Sequence, residues 1–143
     1  MNRLAVLLLL LTAGCSQPPP APTAPTTEES LQALIAAQEE IADILEQVQG
    51  SQSGERAIPR LEKAVEKARA ADDRLDLVSL EKQYPDQVQK AKRAYQRAEK
   101  AHVMAIEKAP FQQERINFLM GRAGYPMVLG GVLDIKLSPK DPK

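Results

Sequence analysis

Apolar side chains recur every three or four residues in three successive stretches, and that spacing confines most of the chain to amphipathic α-helices. In the first stretch Leu31, Leu34, Gln38, Ile41, Leu45 and Val48 form a heptad-like, coiled-coil seam, widened by Ile35 and Ala42. Gln38 within it is expected to fix register or to lie at the seam's edge. Thr26-x-x-Glu29 reads as a capping box, and Glu28 and Glu29 suit the positive end of a helix dipole. Gly50 and Ser51-Gln52-Ser53-Gly54 read as the stop. A second helix is expected to start between Ser53 and Pro59, with Pro59 near its N-terminus. Ile58, Leu61, Val65, Ala68 and Leu75 form its seam; the pattern weakens after Asp72, and Leu77, Leu80 and Tyr84 make a further apolar set. Tyr84-Pro85 then breaks the helix.

The third seam is the most regular: Val88, Ala91, Tyr95, Ala98, His102, Ala105 and Ala109, up to Pro110. Its small residues allow a neighbouring helix to approach closely. Phe111, Ile116, Phe118, Leu119 and Met120 suggest a short further helix ended by Gly121. After Arg122, Met127-Val128-Leu129, Gly130-Gly131 and Val132-Leu133 fit a hairpin with a glycine turn. A lone hairpin is marginal in water, so this stretch is expected as irregular cover or a short hairpin lying on the helices.

The start of the chain has a different grammar. Arg3 precedes an uninterrupted apolar run from Leu4 to Leu11. That run is too short for a permanent bilayer span, which needs about 20 residues, and fits the apolar region of a secretory signal. Small residues Thr12, Ala13 and Gly14 lead to Cys15. Over Leu11 to Cys15 the motif LTAGC resembles the lipobox of bacterial lipoproteins, with Thr12 where that family usually has Leu. The resemblance covers only the leader and the modification site. It implies cleavage between Gly14 and Cys15, a thioether-linked diacylglycerol on Cys15, and a further acyl chain such as palmitate on the new amine. Two or three chains, at about 0.8 kcal/mol per buried CH₂, give stable anchoring to a lipid bilayer. Ser16 stands where the family's inner-membrane retention signal would place Asp. The resemblance therefore implies the cell envelope, with the outer membrane facing the periplasm preferred. The alternative is an ordinary secretory signal cleaved after Ala13 or Gly14.

Pro18, Pro19, Pro20, Pro22 and Pro25 follow within Ser16 to Thr27. Proline fixes φ and removes donors, so the stretch reads as a polyproline II spacer. At about 3.1 Å per residue it reaches at most roughly 37 Å.

Composition narrows the chemistry. There are 19 basic and 19 acidic side chains, one His, one Cys and no Trp. A disulfide within the chain is excluded, and a His/Cys metal cluster has too few ligands. A neutral total argues against nucleic acid as a partner. Charge is nonetheless uneven. Residues 28–50 hold Glu28, Glu29, Glu39, Glu40, Asp43 and Glu46 and no base, whereas residues 85–124 hold four acids against eight bases. Acidic helix 1 is therefore expected to flank basic helix 3 as well as helix 2. Lys90, Lys92, Arg93, Arg97 and Lys100 form a basic run suited to that pairing, or to anionic head groups and acidic cell-wall polymers.

Candidate catalysts are few. His102 is expected as a packed seam residue, and Ser30, Ser51, Ser53 and Ser79 lack the surroundings of a nucleophile elbow. Asp72, Asp73 and Asp76 form an acidic knot, with Asp72 and Asp76 on one helix face, but without a calcium loop's glycine and ligand order. Gly121-x-x-Gly124 and Gly130-Gly131 read as breakers rather than phosphate cradles.

The expected fold is all-α: a small antiparallel three-helix bundle on a Pro-rich tether, with an irregular or short hairpin tail. Residues 1–14 read as signal peptide, 15–27 as lipidated cysteine and linker, 28–122 as helical domain and 123–143 as tail. Beyond the lipobox the body is similar to many short helical lipoproteins of bacteria, a resemblance that carries no assigned activity. The expected function is a membrane-anchored, non-enzymatic envelope module, structural or protein-interacting, with envelope proteins or the cell wall as partners. The alternative is a module binding a small ligand or cation. No catalytic residue, metal ligand or cofactor is expected.

Overall fold

A computed structural model describes residues 24–129 and 132–133. The expected signal peptide, Gly14, Cys15 and most of the proline-rich segment lie outside the described residues, as do Gly130, Gly131 and residues 134–143. The protein is all-α. Its helices are α1 (Thr27–Glu46), α2 (Ser51–Asp72), α3 (Leu77–Leu80), α4 (Pro85–Lys108) and α5 (Gln113–Arg122), with a 3₁₀ turn at Pro110–Gln112.

α1 begins with the expected capping box. The Glu29 N–H donates to Thr26 Oγ1 at 3.2 Å, and the Thr26 N–H donates back to the Glu29 carboxylate at 2.7 Å. That backbone bond, with the Thr26 hydroxyl, holds the Glu29 carboxyl below its usual range. The boundary with α2 differs from expectation. Ser51 to Gly54 form the first turn of α2 instead of a stop. Ser53 Oγ accepts from the N–H groups of Gln49 and Gly50, at 2.8 and 3.1 Å, so a serine inside the helix satisfies the turn before it. Pro59 consequently lies two turns inside α2. It is exposed beside exposed Glu55, whose carbonyl receives no N–H from position 59, because a proline nitrogen carries none.

Hydrogen bonds between helices fix their directions. α1 and α2 are antiparallel, with Gln47 meeting Arg60 and Glu40 meeting Lys67. α1 and α4 are parallel, with Arg97 on Asp43 and Glu46, and Lys108 on Gln49. Acidic α1 therefore flanks both long neighbours. α2 and α4 are not joined by an extended contact of their own; α5 packs on both. The short helix thus forms a fourth side beside the expected three. Ile41, Ile44, Leu45, Leu61, Val65, Ile106, Ile116 and Met120 are fully buried between these helices. Each such side chain contributes about 1.5–3 kcal/mol by leaving water. α4 offers mainly small residues, Ala91, Ala94, Ala98, Ala101 and Ala105, so α1 approaches it closely. A second cluster, Leu31, Ile35, Val88 and Ala91, is closed by Leu75, Leu77, Leu80 and Tyr84 around α3.

α5 continues past Gly121, the expected stop. The Tyr125 N–H donates to the Met120 carbonyl, and Gly124 takes φ +80°, which marks a Schellman ending at Gly124. A two-residue antiparallel ladder follows, β1 (Val128–Leu129) with β2 (Val132–Leu133), pairing Val128 with Leu133 and Leu129 with Val132. Asn117 secures it on the helices. Its Nδ2 donates to the Val128 carbonyl at 2.7 Å, and the Val128 N–H donates to its Oδ1 at 3.0 Å.

Candidate functional site

α5 is ten residues long beside an α2 of 22 and an α4 of 24, so the fourth side ends before its neighbours do. A cavity of about 320 Å³ remains there. Leu34 and Gln38 of α1, Ala68, Arg69 and Asp72 of α2 with Asp73 just after it, and Tyr95 of α4 line it, with Gly121 to Tyr125 at and after the end of α5. The Tyr95 and Tyr125 rings stack with centroids 4.3 Å apart and planes 7° apart. The Tyr95 hydroxyl donates to the Gly124 carbonyl at 3.1 Å. Burial pushes both phenols above their ordinary range; the Glu99 carboxylate adds to this, and at Tyr125 so does Tyr95. Both are therefore protonated near neutral pH. The Tyr125 hydroxyl and Gln38 Oε1 are buried without a hydrogen-bond partner among the described residues. Such orphaned groups are uncommon, because each costs about 1–3 kcal/mol when it lacks a partner.

On the outer side of α5 an aromatic side chain, Phe118, is exposed among the charged Glu114 and Arg115. Phe118 is 67% exposed and Phe111 88%, although both fit the helical pattern that reads as core. Met127 is exposed too and lines a groove with Phe118. Grooves of about 500 and 620 Å³ lie on either side of Phe118, the first floored by Ile58 and Leu119, the second edged by Asn117 and Met127. The Arg122 guanidinium stands 6.0 Å from the Phe118 ring centre, within cation–π reach, and also pairs with Glu66.

The residues singled out from the sequence fall apart spatially. His102 is fully buried, and neither ring nitrogen has a hydrogen-bond partner among the described residues. Burial pushes its imidazole down to about 4, opposed in part by the neighbouring Asn117 amide, whose own bonds go to Val128. A neutral, enclosed ring fits a packing role. The acidic knot is divided, because α2 ends at Asp72 and Asp76 instead caps α3. Asp76 accepts from the Ser79 hydroxyl at 2.7 Å and the Val78 N–H at 3.2 Å. The Ser79 hydroxyl, then its N–H, holds the Asp76 carboxyl low. Among the described residues no group of three His, Cys, Asp or Glu side chains is placed to hold a metal ion. In the basic run, Arg97 pairs with Asp43 and Glu46, which hold its guanidinium protonated, and Lys92 pairs with Glu81.

Sequence reasoning missed the tyrosine-lined cavity. Tyr95 was visible as a seam member, but Tyr125 lies in a stretch without periodicity. Only Gln38, a polar residue inside an apolar seam, signalled it. No helix among the described residues is long and apolar enough to cross a membrane. No protein-family model, curated protein or solved structure matches the chain.

Proposed function

We propose that this protein is a lipid-anchored, non-enzymatic module of a bacterial cell envelope that presents the Phe118 face to an envelope protein. The observation that carries the reading is the position of the chain's one cysteine. Cys15 closes the apolar leader in a lipobox-like motif and is followed at once by a proline-rich stretch, and α1 then starts behind its own capping box. Acyl chains on Cys15 would hold the body at a bilayer, with Ser16 favouring the outer membrane. The exposed Phe118, flanked by two grooves, supplies the kind of aromatic anchor that interfaces concentrate at their centres.

The test combines fractionation with crosslinking. Cys15→Ser is expected to abolish acylation and normal processing, leaving a precursor. A photoreactive residue at position 118 is expected to capture one envelope protein with the native leader and to lose that capture when a non-lipoprotein signal replaces it. Mature, membrane-bound protein from the Cys15→Ser variant would contradict the anchor. Capture unaffected by the leader would contradict a role tied to the membrane.

A further inference from the structure

We propose that α5 and the β1–β2 ladder form an acid-released flap over His102, which lifts from α4 while α1, α2 and α4 stay packed. Tyr95 and His102 lie two turns apart on one stripe of α4, and the C-terminal elements cover that stripe. The Tyr95 hydroxyl reaches the Gly124 carbonyl, and the His102 ring neighbours the Asn117 amide. The covering unit is small. α5 has ten residues, fewer than the about 12–15 that an isolated helix needs in water. The ladder pairs two residues with two, and a lone hairpin is marginal. Asn117 fastens one to the other through its two bonds to Val128, and Gln113 Nε2 donates to the same carbonyl at 3.1 Å. Burial of Ile116, Leu119, Met120 and Val128 holds the unit down.

The ring beneath this unit cannot take a proton in place. His102 is 0% exposed, and its nitrogens lack partners among the described residues. An imidazolium carries two N–H donors and a charge, which an enclosed apolar site disfavours. Asn117 Oδ1 already accepts from the Val128 N–H, so turning it to the ring undoes the fastening. The carboxylates around the ring are engaged elsewhere. Asp43 and Glu46 of α1 hold Arg97, Glu66 of α2 holds Arg122 of α5, and Glu99 of α4 acts on Tyr95 and Tyr125. Glu62 of α2 and Glu114 of α5 line the outer groove beside Phe118. No charged group among the described residues acts on the imidazole, whose proton affinity burial lowers and Asn117 partly restores. Lifting the flap gives the ring to water, where it titrates near 6.5. Below that pH the open form binds the extra proton, so opening grows as pH falls and levels off below about 4. Opening parts Leu119 from Ile58, the floor of one groove beside Phe118. Under the proposed function, acid would thereby dismantle a docking groove; the flap itself does not depend on that reading.

Amide hydrogen exchange in the full-length protein, kept in detergent, tests this once rates are corrected for the intrinsic pH dependence of exchange. The amides of Leu119, Met120 and Val128 are expected to lose protection about twentyfold between pH 7 and pH 5. Those of Ile41 and Leu61 are expected to stay at least about tenfold better protected at both pH values, because their exchange needs the whole body to open. His102→Leu is expected to remove the pH dependence and keep the order of protection. Should that variant fail to fold, the ring resonances of the chain's one histidine decide in the native protein. They are expected to titrate only together with loss of protection in α5. Titration near 6.5 with α5 still protected would overturn the flap, as would equal protection of Leu119 and Leu61. Unchanged protection at pH 5, or a twentyfold loss that persists in His102→Leu, would overturn it as well.

Discussion

His102 makes stability respond to pH in a defined direction. Its imidazole titrates near 6.5 in an unfolded chain and is pushed down to about 4 by burial in the fold. Between those values the unfolded chain binds the extra proton, so stability falls as pH drops from about 6.5 toward 4. The expected loss is about 2 kcal/mol by pH 5 and about 3 kcal/mol at pH 4 and below. Urea midpoints at pH 7 and pH 5 check this: the native chain should lose stability, and His102→Leu should lose markedly less. Gly54 gives a second test at a single position. A Cβ built there stands 2.9 Å from Ala109 Cβ, which is fixed to the α4 end and cannot rotate away. Gly54→Ala would gain about 1 kcal/mol of helix propensity. Separating the two segments would cost about 1–3 kcal/mol. A lowered thermal midpoint is the expected outcome, and a raised one would show that the contact yields freely.

Among the elements, the seams were legible because burial imposes helical periodicity on the sequence: Val88, Ala91, Ala98, His102, Ala105 and Ala109 are all buried as their spacing requires. The boundaries were less so. Ser51 to Gly54 have the composition of a stop, yet Ser53 turns that composition into a start by accepting two backbone N–H bonds. The fourth side was legible as a helix but not as a wall, because its residues cannot show that α2 and α4 leave room for it. Tyr125 and Asn117 escaped attention for the same reason: their roles are made by contacts distant in sequence. The pairing of α1 with α4 separates charge from packing. Arg97 bridges Asp43 and Glu46 at 2.7 and 2.6 Å, but both carboxylates and the guanidinium are well exposed. Arg97→Ala is expected to cost no more than about 1 kcal/mol, and less in high salt. Leu61→Ala, at a fully buried position, is expected to cost about 2–5 kcal/mol. Chemical denaturation of both variants checks the ranking.

In the whole molecule, a neutral charge total conceals an acidic α1 placed between α2 and the more basic α4, joined to each by ion pairs at the surface. No helix among the described residues is long and apolar enough to cross a membrane. The proposed anchor rests on Cys15. Mass spectrometry of the N-terminal peptide, extracted from membranes of cells producing the full chain, examines that residue directly. The expected peptide begins at Cys15 and carries the mass of a diacylglycerol group, with an additional acyl chain on the amine. An unmodified peptide beginning at Cys15, or one beginning upstream of it, would contradict the lipid anchor and the envelope location proposed from it.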